Sequence, residues 1–142
     1  QTILNYKAWG IKTFGTQTGT AIASNGQSYT INFDYATEVD LYANITITKS
    51  GAFPVNGVNL IKDKIAEYIG GTDTQGNIYS GLAMGQDIVY ARLIDVIFNV
   101  AGVADVALDI SKVNITFAKS NIAVDFDEVA QTDPTKLVIS IV

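Results

Sequence analysis

The spacing of apolar residues changes twice along this chain, and those changes limit its fold more than any other feature. Leu41, Ala43, Ile45 and Ile47 alternate with Tyr42, Asn44, Thr46 and Thr48. Successive strand side chains point to opposite faces, so this run predicts a half-buried strand. Ser50-Gly51 and Pro54 then break the chain. Beyond them Val58, Ile61, Ile65, Tyr68 and Ile69 recur at helical spacing. They predict a helix capped by Asn56 and stopped by Gly70-Gly71. Ile78-Tyr79 reads as a short extended piece, and Ser80 as the cap of a second helix running to about Val100. Leu82, Met84, Ile88, Val89, Leu93, Ile94, Val96, Ile97 and Phe98 make that helix apolar on most sides. Such a helix belongs in a core or against a partner.

Alternation returns after Ala101-Gly102 in residues 105–110, 113–118 and 121–126. Residues 137–142 are apolar on both faces and read as an inner strand. The fold class that follows is α+β, with two helices packed on one face of a mostly antiparallel sheet, in the order strands, helix, helix, strands. Upstream, Asn25-Gly26 signals a tight turn between a strand near residues 20–23 and a second in which Ile31, Phe33 and Tyr35 share a face. A soft boundary near residues 36–38 divides the chain. Residues 1–37 are expected to be a Thr/Gly-rich β segment, the tail of a preceding domain, and residues 38–142 a compact α+β domain. The chain starts at Gln1, which reads as a fragment of a longer polypeptide.

The chain has 142 residues, of which 48% are hydrophobic and 16% charged, enough material for a core and little for disorder. Its net charge of −5 and pI near 4.4 argue against phosphate backbones and anionic membranes as partners. There is no cysteine, hence no disulfide, thiol nucleophile or cysteine metal site. There is no histidine either, which removes the commonest general base and transition-metal ligand. No segment is long and apolar enough to span a bilayer as a helix. The expectation is a protein that is not an enzyme and has no catalytic, cofactor or metal residues.

Several clusters bear on that expectation. Asp125-Phe126-Asp127-Glu128, with Asp133 able to approach, has the oxygens a hard cation wants but not the spacing of a calcium loop. Asp105 and Asp109 sit on one side of a strand, about 13 Å apart, too far for paired-carboxylate glycoside hydrolysis. Tyr6, Trp9 and Phe14 suit a stacking platform, and on them rests an alternative reading, a small carbohydrate- or surface-binding module. Gly15–Gly19 lacks the ending of a phosphate loop. Arg92 and Asp95 read as a surface ion pair, or Arg92 as an interface anchor.

Four stretches resemble the C-terminal region of the phage baseplate assembly protein J family. They are the alternating strand of residues 39–48 after Ile31-Asn32-Phe33, and the helix ending Ala66-Glu67-Tyr68-Ile69 before a polar loop with Gly76. The third is Ile78-Tyr79-Ser80-Gly81-Leu82; the fourth is Val100-Ala101-Gly102-Val103-Ala104-Asp105-Val106, followed by strands such as Asn121-Ile122-Ala123-Val124. Gly10-Ile11-Lys12-Thr13-Phe14-Gly15 is similar to a stretch upstream of that region. The resemblance implies a structural baseplate (wedge) component of a phage tail or related contractile injection machine. It would lie in the virion and be assembled in the bacterial host cytoplasm. Its partners would be other baseplate proteins, with self-association an option. The chain is shorter than typical members, and the resemblance carries over no catalytic residue. The expected contact surface is formed by exposed apolar residues of the second helix or by the C-terminal strand edge.

Overall fold

The computed structural model describes residues 13–142. Contacts divide the chain into a unit ending at Tyr35 and a second over Ala36–Val142. In the first, β1 (Gln17–Ile22) and β2 (Ser28–Phe33) form an antiparallel hairpin with Gln17 opposite Phe33. The Gly26 N–H closes the turn on the Ala23 carbonyl, and the Asn25 side chain accepts the Gln27 N–H. Both the backbone and the hydroxyl of Thr16 donate to Asp34, which holds that carboxyl below its ordinary pKa.

The second unit is built around one strand. In chain order its elements are β3 (Thr37–Asp40), β4 (Tyr42–Lys49), α1 (Gly57–Ile69), β5 (Gly71–Thr72), β6 (Ile78–Tyr79), α2 (Tyr90–Phe98), β7 (Val103–Ser111), β8 (Glu128–Gln131) and β9 (Leu137–Ile141). The main sheet has the order β7-β4-β9, with β4 antiparallel to β7 and parallel to β9. β3 and β8 pair in parallel, and β5 and β6 form a small hairpin.

The alternation in β4 explains the layering. Ala43, Ile45 and Ile47 are at most 2% exposed, whereas Asn44, Thr46 and Thr48 face solvent. Ile61, Ile65 and Ile69 of α1 and Leu93 and Ile97 of α2 join Ala43, Ile45, Ile47, Leu108 and Ile110 in one apolar cluster. The register places these sheet residues on one face, so both helices cover it, and the other face stays open. Each large aliphatic side chain buried here contributes roughly 1.5–3 kcal/mol.

The α+β class and the order of elements are as expected, but four details differ. The second helix spans only Tyr90–Phe98. Residues 80–89 are a loop, because Gly81 takes φ +53°, and a Cβ there would meet the Ile69 carbonyl at 2.4 Å. Leu82 and Ile88 are buried as anchors of that loop, which produced the apolar density misread as helix. Residues 113–118 and 121–126 are not strands. Each has one backbone bridge, Ala118 to Ile110 and Ile122 to Ile88, and the second is also held where the Tyr90 N–H donates to the Asn121 side chain and the Val124 N–H to the Asp87 carboxylate. The run from residue 39 divides at Leu41, whose N–H goes to Gln131 and whose carbonyl accepts the Thr132 hydroxyl. Finally, β9 is an edge strand, not an inner one.

Candidate assembly interface

With β4 in the centre, the sheet has two outer edges, and they are finished differently. Edge strands carry backbone groups that neighbouring chains can pair with, unless something fills or covers them. In β7 the residues that pair with β4 through hydrogen bonds are Asp105, Ala107 and Asp109, so Val106, Leu108 and Ile110 turn their backbone groups outward. Four of those six groups meet a partner close by. The Val106 N–H donates to the Asp105 carboxylate at 2.9 Å. The Leu108 carbonyl accepts the Tyr90 hydroxyl at 2.7 Å. Ile110 exchanges bonds of 3.0 and 2.9 Å with Ala118. A register shift at Thr48/Lys49 disturbs the far end of this ladder, as bulges at edges do.

Among the described residues, the β9 edge has none of these devices. The Ala43 N–H bonds the Lys136 carbonyl at 3.1 Å, and the Val142 N–H bonds the Ile47 carbonyl at 2.9 Å. In a parallel ladder this parity commits Val138 and Ser140 to β4 as well. Leu137, Ile139 and Ile141 therefore turn their N–H and C=O groups outward. Among the described residues no strand pairs with that edge. The strand carries no charge and no proline. Val138 is 57% exposed and Ile141 38%.

The start of β9 is fixed in place. Lys136 Nζ lies 2.8 Å from Asp40 and 2.9 Å from Asp133. Burial, the largest influence on Asp133, pushes its pKa up. Hydrogen bonds from the Thr135 hydroxyl, the Lys136 ammonium and the Thr135 N–H, with the Lys136 charge, outweigh it and bring the carboxyl down to about 2. Lys62 Nζ adds a 2.8 Å bond to the Pro134 carbonyl.

Asp73, which the sequence reading did not single out, is a buried carboxylate at 4% exposure. It accepts the Gln75 and Asn77 N–H groups and the Asn77 amide, each at 2.8 Å, and the Tyr79 hydroxyl at 3.2 Å. The Asn77 side-chain bond is the largest influence; with the other bonds it holds Asp73 below its ordinary pKa against the effect of burial. All its partners are local, so it organises the β5–β6 turn. The signal in the sequence was the Asp followed by Gly76-Asn77 between two short extended pieces.

The residues singled out earlier do not converge. Glu128 Oε2 accepts the Asp125 N–H at 2.9 Å and lies 3.7 Å from Lys112 Nζ. Asp133 is engaged with Lys136, away from that cluster's hydrogen bonds. Among the described residues no three acidic side chains are placed to hold a metal ion. Asp105 and Asp109 lie opposite Thr48 and Asn44 in the register. The ion pair expected between Arg92 and Asp95 does not form; the Arg92 charge instead acts on Tyr68, whose pKa burial raises and Arg92 lowers. Phe14 is 83% exposed, and Tyr6 and Trp9 lie outside the described residues. Among the described residues no helix is long and apolar enough to cross a membrane.

A helix–sheet core, a turn-organising carboxylate and a strand edge with no described strand beside it make up this α+β domain. The family model of the Baseplate J-like protein C-terminal domain matches residues 43–131, well over half of the chain. This chain belongs to that family of structural phage baseplate proteins. The match runs from the start of β4 to the end of β8, so it covers both helices and stops before β9. No curated protein matches the chain.

Proposed function

We propose that the chain is a wedge component of a phage tail baseplate, or of a related contractile injection machine, and acts by docking to neighbouring baseplate proteins without catalysis. The family match over the helix–sheet core carries this reading, and the unfilled β9 edge supports it as a place of contact. Residues 1–37 are the tail of a preceding domain and residues 38–142 the C-terminal baseplate domain; the division of contacts after Tyr35 supports that split. Neither nucleic acid nor membrane is a partner, in keeping with the net charge of −5. The protein sits in the virion tail after assembly in the bacterial host cytoplasm.

The test is made in the phage or prophage that encodes the chain. Val138→Lys places a charge on the β9 edge at an exposed position. The expected outcome is a folded protein by circular dichroism and at least a tenfold drop in complete tails counted by electron microscopy. Complete wild-type tails in which mass spectrometry finds none of this protein would overturn the reading.

A further inference from the structure

The outward groups of Leu137, Ile139 and Ile141 restrict what can fill the β9 edge. We propose that it is filled by β9 of a second copy of this chain, running antiparallel, with the two-fold axis at Ile139. This deepens the docking reading above by naming the partner.

The hydrogen-bond parity selects the register. In an antiparallel ladder, residues that face each other at hydrogen-bonded positions exchange two bonds. With the axis at Ile139, that residue faces itself, and Leu137 of each copy faces Ile141 of the other. All three pairs are hydrogen-bonded positions, about six bonds in total. Moving the axis to Val138 or Ser140 leaves only about four, because one outward residue loses its partner.

The side chains fit the same register. Leu137, Ile139 and Ile141 lie beside Ala43, Ile45 and Ile47, on the face that the helices cover. Exposure on this face rises from Leu137 at 1% to Ile141 at 38%. The two-fold therefore sets the deeply buried end of one strand against the open end of the other. On the other face Val138 meets Ser140.

Charge does not oppose a second copy at this edge. The chain is acidic overall, but β9 is neutral. The carboxylates of the sheet, Asp105 and Asp109, are on β7, two strands away. That is about 10 Å, a Debye length at ~0.1 M salt. Pairing gives the order β7-β4-β9-β9-β4-β7, which puts both filled edges outside and both unfilled edges inside. Such a two-fold contact is closed and leaves no edge to propagate a fibre. One short strand per copy buries less than the ~1,000 Å² of a stable interface, so the pairing is expected to be weak and visible only at high concentration.

The absence of cysteine makes the register measurable. Facing Cα atoms in antiparallel pairs lie about 4.5–5.5 Å apart, within disulfide reach. The full chain is made as Ile139→Cys, Val138→Cys and Ser140→Cys variants, and each is oxidised alone and in mixture. Ile139→Cys cross-links to itself. Val138→Cys and Ser140→Cys cross-link to each other at least tenfold faster than either does to itself. Sedimentation of the unsubstituted chain shows a monomer–dimer equilibrium between ~10 µM and ~1 mM, and Val138→Lys stays monomeric throughout. A strict monomer at the highest concentration, or cross-linking at equal rates in every combination, overturns the proposal. The tail count reports docking to any neighbour, so lost tails together with a strict monomer overturn self-pairing alone.

Discussion

The β7 and β9 edges flank the same central strand and meet water in opposite ways. On β7, every outward residue from Val106 to Ile110 has a partner close by: its neighbour's carboxylate, a tyrosine hydroxyl from α2, or the returning Ala118 segment. On β9, Leu137, Ile139 and Ile141 face outward with no described strand beside them. An edge can thus be closed without a further strand, by three unrelated side-chain and loop devices.

The largest effect should come from removing what the two edges share. Ile45→Ala takes away a side chain 2% exposed beneath both ladders and should cost about 2–5 kcal/mol in urea unfolding. A loss below about 1 kcal/mol would break the view that β4 anchors both edges. Next comes a pair of prolines. Ser140→Pro removes an N–H directed at β4 and should cost about 1–3 kcal/mol more than Ile141→Pro, whose N–H points outward. Equal losses in thermal unfolding would invalidate the parity on which the contrast depends. Tyr90→Phe removes the hydroxyl that meets the Leu108 carbonyl, and should cost about 1 kcal/mol without creating a second open edge, since Val106 and Ile110 stay filled.

The smallest effect concerns how β9 is tethered at its start. The Asp133 carboxyl is held at about 2, below the usual carboxylate range. A group depressed in the folded state stabilises it above the unfolded pKa and loses that contribution as pH falls through the folded one. Asp133 should therefore add stability that is full above about pH 4 and is lost toward pH 2. Acid unfolding of Asp133→Asn should show a shallower loss over that window. The partial exposure of the pair keeps the difference small.

How much of this could be read from residues alone varied along the chain. The alternation of residues 41–48 and the spacing of Ile61, Ile65 and Ile69 are local patterns, and both elements formed as expected. The stretch of residues 80–89 misled because Leu82 and Ile88 are apolar for a non-local reason: each anchors a loop to another segment. Residues 113–118 alternate like a strand yet leave Val113 and Ile115 exposed at 56% and 84%. Only one bridge holds that segment. The apolar C-terminal run was read as an inner strand because both its faces are oily. Its place at an edge depends on which neighbour is absent, and alternation carries no such information. The C-terminal strand edge was one of two contact surfaces expected from the sequence, but the parity of its backbone groups needs the register against β4.

Residue-resolved amide hydrogen exchange on the chain at low micromolar concentration examines the two edges in one experiment. The account predicts slow exchange for Val138, Ser140 and Ile110, and fast exchange for Ile139 and Ile141 that slows as concentration rises toward ~1 mM. Slow exchange of Ile139 and Ile141 at every dilution would mean that the chain fills this edge itself, and would contradict the account.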